Sequence, residues 1–233
     1  YWQPSSVFFI DSEIWPNMIL NLKKKNIKIN LINGRITKKT FKRWKKLSFF
    51  SKNIFNKIHL AYPQNLETFN YLKKLNVNKI KFLGNLKFTE SKNNKIKSLN
   101  KSFLKKFEGR KIWCAASTHA DEEVICANTH LNLKKKHKRL LTIIIPRHIY
   151  RDNEIISKIE GLGLKVVCRN SNEKIDNKTD IYLINTYGEN NKFYKICNTV
   201  FLGGSFIRHG GQNPIEPARL GSTILHGPYI DNF

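Results

Sequence analysis

Short apolar runs, each followed by a segment of helical spacing, recur through both halves of this 233-residue chain. Val7-Phe8-Phe9-Ile10 leads into residues 14–25, where Ile14, Met18, Ile19 and Leu22 recur at helical intervals. Residues 27–32 form the next apolar run. A third lies at 57–61, followed by a helix over 66–75 and another run at 79–83. The second half restarts at 111–116, with a helix reaching about 133. It continues through apolar runs at 140–145, 165–168, 180–184, 199–202 and 223–228, with helices at 155–162 and 193–197 between them. Such alternation predicts parallel sheets whose strands are covered by helices. Residues 7–10 accordingly read as a strand buried on both faces. Residues 89–106 are polar and rich in Lys, Asn and Ser, which breaks the pattern. The expected organisation is α/β, with one Rossmann-like domain over residues 1–90, a linker over 91–107 and a second domain over 108–233, their parallel sheets facing a cleft.

Composition narrows the partners. The net charge is +25, from 42 Lys and Arg against 17 Asp and Glu, which invites a polyanion: nucleic acid, an anionic membrane face or a phosphorylated substrate. Lys, Asn and Ile are abundant throughout, so much of that charge reads as compositional drift. Nucleic-acid binding lacks support from zinc-finger spacing or an RNP-type motif, and Lys38–Lys46 is the one candidate for a compact basic recognition helix. Cys114, Cys126, Cys168 and Cys197 are scattered without CxxC spacing, which argues for reduced thiols in a cytosolic compartment rather than a metal or disulfide framework. No apolar run approaches the roughly 18 residues needed to span a bilayer, and no signal-peptide pattern opens the chain. A start at Tyr1 without Met and a stop at Phe233 read as those of an internal piece.

Candidate binding residues collect where apolar runs end, because ligands of open α/β sheets lie outside the carboxyl ends of strands. Val200-Phe201-Leu202 meets Gly203-Gly204-Ser205, and the loop runs on through Gly210-Gly211-Gln212 to Asn213 and Pro214. Asn213 suits an N-cap and Pro214 a first helical turn. Glycines there allow close backbone approach, and a helix start favours phosphate. Glu216 in that first turn could accept from both hydroxyls of a ribose; the plain alternative is a carboxylate complementing the helix dipole. Arg147 follows the 140–145 run, where it could meet a cytidine or a phosphate or make a surface ion pair. Ser117 and Thr118 with Glu122 or Glu123 match a capping box, though a hydroxyl loop at a helix start can also face an anion. Glu13 and Arg35 end two successive strands of the first half, and together point to one wall of a binding site. The segment that begins at Lys38 and ends at Phe50 sets Phe41, Trp44 and Leu47 at threes among lysines. It reads either as an amphipathic helix for an anionic membrane or as a helix packed by its aromatics.

Eight motifs in order identify a resemblance. They are DSEIWPN at 11–17, NGRIT at 33–37, GNLKF at 84–88, ASTHADEE at 116–123, PRH at 146–148, NTYGE at 185–189, GGSF with HGGQNPIEPA at 203–218, and GP with NF at 227–233. The chain resembles the 3-deoxy-D-manno-octulosonic acid (Kdo) transferases from end to end. The resemblance implies a two-domain GT-B fold and an inverting, metal-independent transfer of Kdo from CMP-Kdo to a lipid A precursor in lipopolysaccharide biosynthesis. It implies no cofactor, and a location on the cytoplasmic face of the bacterial inner membrane. Carried over by position, Gly204, Ser205, Gly211 and Asn213 match the phosphate loop and Glu216 the ribose carboxylate. Pro146 and Arg147 match the segment beside cytosine, Ser117 and Thr118 a loop facing the donor, and Glu13 and Arg35 the acceptor side. The family usually has Ala where Gly34 stands and commonly His where Gln212 stands. Its general-base glutamate would precede Tyr1, so the catalytic residue is not assigned here, and this chain by itself is expected to bind donor poorly and not turn over. The alternatives are a GT-B transferase for another nucleotide sugar and a basic nucleic-acid-binding protein.

Overall fold

The structure is a computed structural model that describes residues 3–88 and 98–232. It separates into two compact units, Tyr1–Lys92 and Asn93–Phe233. Residues 91–97 of the expected linker, and Phe233 of the last motif, lie outside the described residues.

The first unit is a three-stranded parallel sheet in the order β1 (Ser6–Ile10), β2 (Lys28–Gly34), β3 (Leu60–Pro63). Around it run α1 (Pro16–Lys24), α2 (Lys38–Lys46), α3 (Ser48–Phe55) and α4 (Leu66–Lys74). Pro16 opens α1, where its missing N–H costs nothing. Phe9, Ile19, Ile29, Leu31, Ile54, Phe55 and Leu72 make the core. Three local expectations change. β1 is half covered, not buried on both faces: Phe8 and Ile10 share one face and are 57% and 56% exposed, while Phe9 on the other face is buried in the core. The basic helix over 38–50 breaks at Leu47, whose φ and ψ of −103° and 48° leave the helical region. Phe41 and Trp44 pack on the core, and a new helix starts at Ser48. The run at 79–83 makes a single bridge, Ala61 with Ile80; Phe82 and Leu83 are exposed.

The second unit opens with α5 (Lys101–Leu104), followed by a 3-10 turn at Lys105–Phe107. Residues 98–107, expected as linker, thus fold onto this unit. Leu99 and Phe107 are buried in its core, and Phe103 stacks edge-on with Phe107 at 5.3 Å between ring centroids. Aromatic rings four apart on a helical turn have that reach. The sheet elements that follow are β4 (Lys111–Thr118), β5 (Leu140–Pro146), β6 (Val166–Cys168), β7 (Ile181–Leu183), β8 (Thr199–Leu202) and β9 (Thr223–His226). Helices α6 (Glu122–Lys134), α7 (Asp152–Glu160), α8 (Asn190–Tyr194) and α9 (Ile215–Arg219) connect them. The six strands are parallel, in the order β6-β7-β5-β4-β8-β9. β5 is buried along its whole length, as its apolar run requires of a central strand. From β4 the chain builds first toward β5 and later returns to lay β8 on the other side. The topological switch point therefore lies between β4 and β8, where such sheets open a crevice at their carboxyl ends.

Candidate donor site

At that switch point the loop after β4 and the loop after β8 meet back to back. Ser117 takes a positive φ of 54°, and the β4–β5 register slips between Ala116 and Thr118. Gly203 passes so close behind it that an added Cβ would lie 2.4 Å from the Ser117 carbonyl oxygen and 2.6 Å from Thr118 Cα. Only glycine fits there.

Glu122 joins the two loops. It is fully buried, and each carboxylate oxygen accepts two backbone N–H groups. Oε2 takes those of His119 at 2.9 Å and Gly204 at 2.7 Å; Oε1 takes those of Ser205 and Phe206, both at 3.0 Å. This corrects two expectations. The capping box forms only in part: Glu122 reaches back to His119 N–H, but neither Ser117 nor Thr118 caps the helix, where Asp121, in the left-handed region at φ 73°, stands at the N-cap with no side-chain cap. The Gly204 and Ser205 amides, expected to face phosphate, are occupied by Glu122. Ser205 is itself buried; its hydroxyl donates to the Leu202 carbonyl at 2.5 Å and accepts from Gly227 N–H at 2.8 Å.

Beside this clamp lies a cavity of about 280 Å³ lined by Ser117, Ile145, Pro146, Arg147, Ile149, Glu216 and the turn after β7 with the start of α8. Ser117, Pro146, Arg147 and Glu216 are thus brought together from three separate stretches. Thr118, Gly204, Ser205, Gly211 and Asn213 do not line it. Thr118 is buried, and its hydroxyl has no partner. Gly211 N–H donates to the Gly204 carbonyl at 2.8 Å, and Asn213 Oδ1 accepts from Ile215 N–H at 3.0 Å. Asn213 is nevertheless not the N-cap expected of it: Pro214 takes that position ahead of α9, a helix of five residues, and makes no side-chain cap bond there.

The far wall is the turn carrying Thr186, Tyr187 and Gly188, with Asn190 and Asn191. No site role attached to these residues in the sequence, although the NTYGE motif marked their position. Glu189 holds the turn. Arg169 donates to it through Nε at 2.8 Å and through an Nη at 3.1 Å, and Thr186 and Lys192 each donate at 2.7 Å. The Arg169 hydrogen bonds, working against burial and helped by Lys192 and Thr186, hold the Glu189 carboxyl down at about 2. Asn191 Oδ1 is buried without a partner at this wall.

In the first unit, the segments that carry Glu13 and Arg35 are tied together by Ser12 and Asp11. Ser12 Oγ donates to the Arg35 carbonyl at 3.1 Å, and Arg35 N–H donates to the Asp11 carbonyl at 2.9 Å. The Glu13 carboxylate accepts from Trp15 Nε1 at 2.7 Å. Asn33, unremarked in the sequence, is the hub: buried at φ 53°, it donates to Asp11 Oδ1 at 2.5 Å and accepts from Leu86 N–H at 3.1 Å. Three of the ordered motifs meet at that one asparagine.

Two parallel α/β units, the second with a switch-point cavity, define the GT-B class of glycosyltransferase folds. The Staphylococcus aureus MnaA–UDP structure shares that fold at 12% identity, covering 96% of this chain and 58% of its own, with a TM-score of 0.53. The model of the 3-deoxy-D-manno-octulosonic-acid transferase (kdotransferase) family matches residues 1–90. The Haemophilus influenzae 3-deoxy-D-manno-octulosonic acid transferase is 30% identical over 99% of this chain and 55% of its own length. The C-terminal CMP-Kdo binding domain of WaaA from Acinetobacter baumannii is 31% identical, covering 57% of this chain and 75% of its own, with a TM-score of 0.49. The chain belongs to the Kdo transferase family, and it spans about half the length of the curated relatives it matches.

Proposed function

We propose that the second unit is the donor-binding half of an enzyme that transfers Kdo from CMP-Kdo to a lipid A precursor, inverting the anomeric centre without a metal. The observation that carries this reading is the cavity that unites Ser117, Pro146, Arg147 and Glu216. An exposed carboxylate at Glu216 can accept from the two hydroxyls of a ribose. Arg147 sets a guanidinium where a departing phosphate gathers charge, and such fixed charge lowers the barrier to leaving. The Ser117 hydroxyl and the Asn190 and Asn191 amides supply neutral partners for a base and a sugar. Glu13 and Arg35 belong to the acceptor side, in the first unit.

Calorimetric titration with CMP, beside an Arg147→Ala, Glu216→Ala double variant, tests the reading. CMP binding that the double variant loses supports it. Equal binding by both proteins overturns the site, and tighter binding of UDP than of CMP replaces the donor with another nucleotide sugar.

The same enzyme is proposed to work at the cytoplasmic face of the inner membrane. Leu47, Phe49 and Phe50 stand 59%, 91% and 41% exposed at the elbow between α2 and α3, with Lys38, Lys39, Lys42, Arg43, Lys45, Lys46 and Lys52 on those helices. Apolar tips ringed by cations partition into anionic interfaces. Co-sedimentation with phosphatidylglycerol vesicles should fall in Phe49→Asp; unchanged sedimentation would refute it.

A further inference from the structure

Three imidazoles converge beside the donor cavity without lining it. His119 follows β4, His148 follows β5 next to Arg147, and His209 lies in the loop after β8. The His119 and His209 rings are 4.3 Å apart between centroids at 81°, and those of His119 and His148 are 5.8 Å apart at 82°. His119 is buried, His148 half-buried and His209 exposed, so the cluster is closed at its base and open at its mouth. Gln212 Nε2 lies 3.2 Å from His119 Nε2, and Tyr150 packs on His148 at 5.5 Å.

Most of the charges around His119 are of one sign. Burial lowers the His119 pKa, and His209, His148 and Arg147 push it the same way. Glu122 opposes them, but its two oxygens already accept four backbone N–H groups. Protonated rings would repel one another, and the one opposing carboxylate, Glu122, is already held by the backbone. A metal does not answer the arrangement: among the described residues no three His, Cys, Asp or Glu side chains are grouped to hold one. An oxyanion does. It accepts from ring N–H groups and from the guanidinium, and it favours the protonation of His119 that burial and its neighbours disfavour.

We infer that His119, His148 and His209, with Arg147, form an oxyanion receptor for the charged group of the donor, its phosphate or its sugar-acid carboxylate. This rests on the donor-site reading above, and it adds a means of recognition that the glycine-loop amides do not provide. The Gly204 and Ser205 N–H groups face Glu122 instead, and that of Gly211 faces the Gly204 carbonyl.

Calorimetry with cytidine, CMP and free Kdo, on the wild-type chain and on His148→Gln, His209→Gln and the double variant, separates the outcomes. Thermal melts establish that the variants are folded. Wild type should bind CMP about tenfold or more tighter than cytidine, a gap equivalent to one unit of imidazole pKa. The double variant should narrow that gap to about threefold or less while binding cytidine unchanged. If the carboxylate is the group read, the variants lose Kdo binding instead and leave the gap intact. A gap and a Kdo affinity that both survive the double variant overturn the receptor and leave the nucleoside site standing. Absence of cytidine and CMP binding by wild type defeats the donor-site reading and the receptor with it. An independent readout is the proton NMR titration of the imidazoles with and without sodium sulfate. His119, His148 and His209 should titrate higher in sulfate, while His59, His137 and His226 stay in place. A uniform shift of all six would reduce the effect to the net charge and overturn the inference.

Discussion

Replacing Glu122 by Gln should destabilise the second unit more than any conservative surface change. The carboxylate accepts two N–H groups on each oxygen, at 2.7 and 2.9 Å on one and 3.0 Å twice on the other. Glutamine keeps one oxygen and turns an NH₂ group toward the other pair of donors. Two hydrogen bonds to a charged group are lost, each contributing about 1.5–3 kcal/mol. The sum is about 3–6 kcal/mol, a large share of the roughly 5–15 kcal/mol by which a domain is held folded. Urea unfolding followed by far-UV circular dichroism measures it. With a slope of about 2 kcal/mol per molar, the midpoint should fall by about 1.5–3 M. Glu216→Gln, at an exposed position, is the control and should stay within about 0.5 kcal/mol of the parent. A Glu122→Gln protein that loses less than about 1 kcal/mol would refute the reasoning, since four backbone donors would then have found other partners.

Gly203→Ala should prevent folding of the second unit or abolish CMP binding, because its Cβ would meet the Ser117 carbonyl at 2.4 Å; a normal melt with intact CMP binding would contradict the close approach. Arg169→Ala removes the main hydrogen bonds holding the Glu189 carboxyl at about 2, so that carboxyl should titrate nearer its ordinary value of about 4.3 by carbon-13 NMR. CMP affinity should fall with it as the cavity wall loosens. Acid stability has a definite sign at Asp180. Burial raises its pKa, but His130, Lys134 and the Lys165 N–H outweigh that and hold it at about 2. Its stabilisation is therefore full above about pH 4 and is lost as pH falls through 2. Asp180→Asn should flatten that part of the stability–pH curve, and an unchanged slope would show that other carboxylates carry it.

Much of this protein could be read from neighbouring residues alone. Apolar runs such as 140–145 carry enough β-branched side chains to become buried parallel strands wherever they fall, and β5 is buried along its length. Residue types at strand ends pointed to Ser117 and Arg147, because a strand of a parallel sheet delivers its last residue to one edge, and the helix start after Pro214 pointed to Glu216. Local pattern erred where the answer lay far along the chain. Glu122 follows a Ser-Thr pair like a capping-box residue, yet three of its four donors lie beyond residue 200. The basic segment from Lys38 reads as one helix of even spacing. Packing of Phe41 and Trp44 on the core, with a turn at Leu47, divides it in two. Phe8 and Ile10 are apolar enough for a covered strand, but their exposure depends on what packs over that face of β1. Periodicity and capping describe interactions within about one turn. The partners of a buried carboxylate, and the neighbours of a strand, are set by loop closure over tens of residues, which only the folded chain decides.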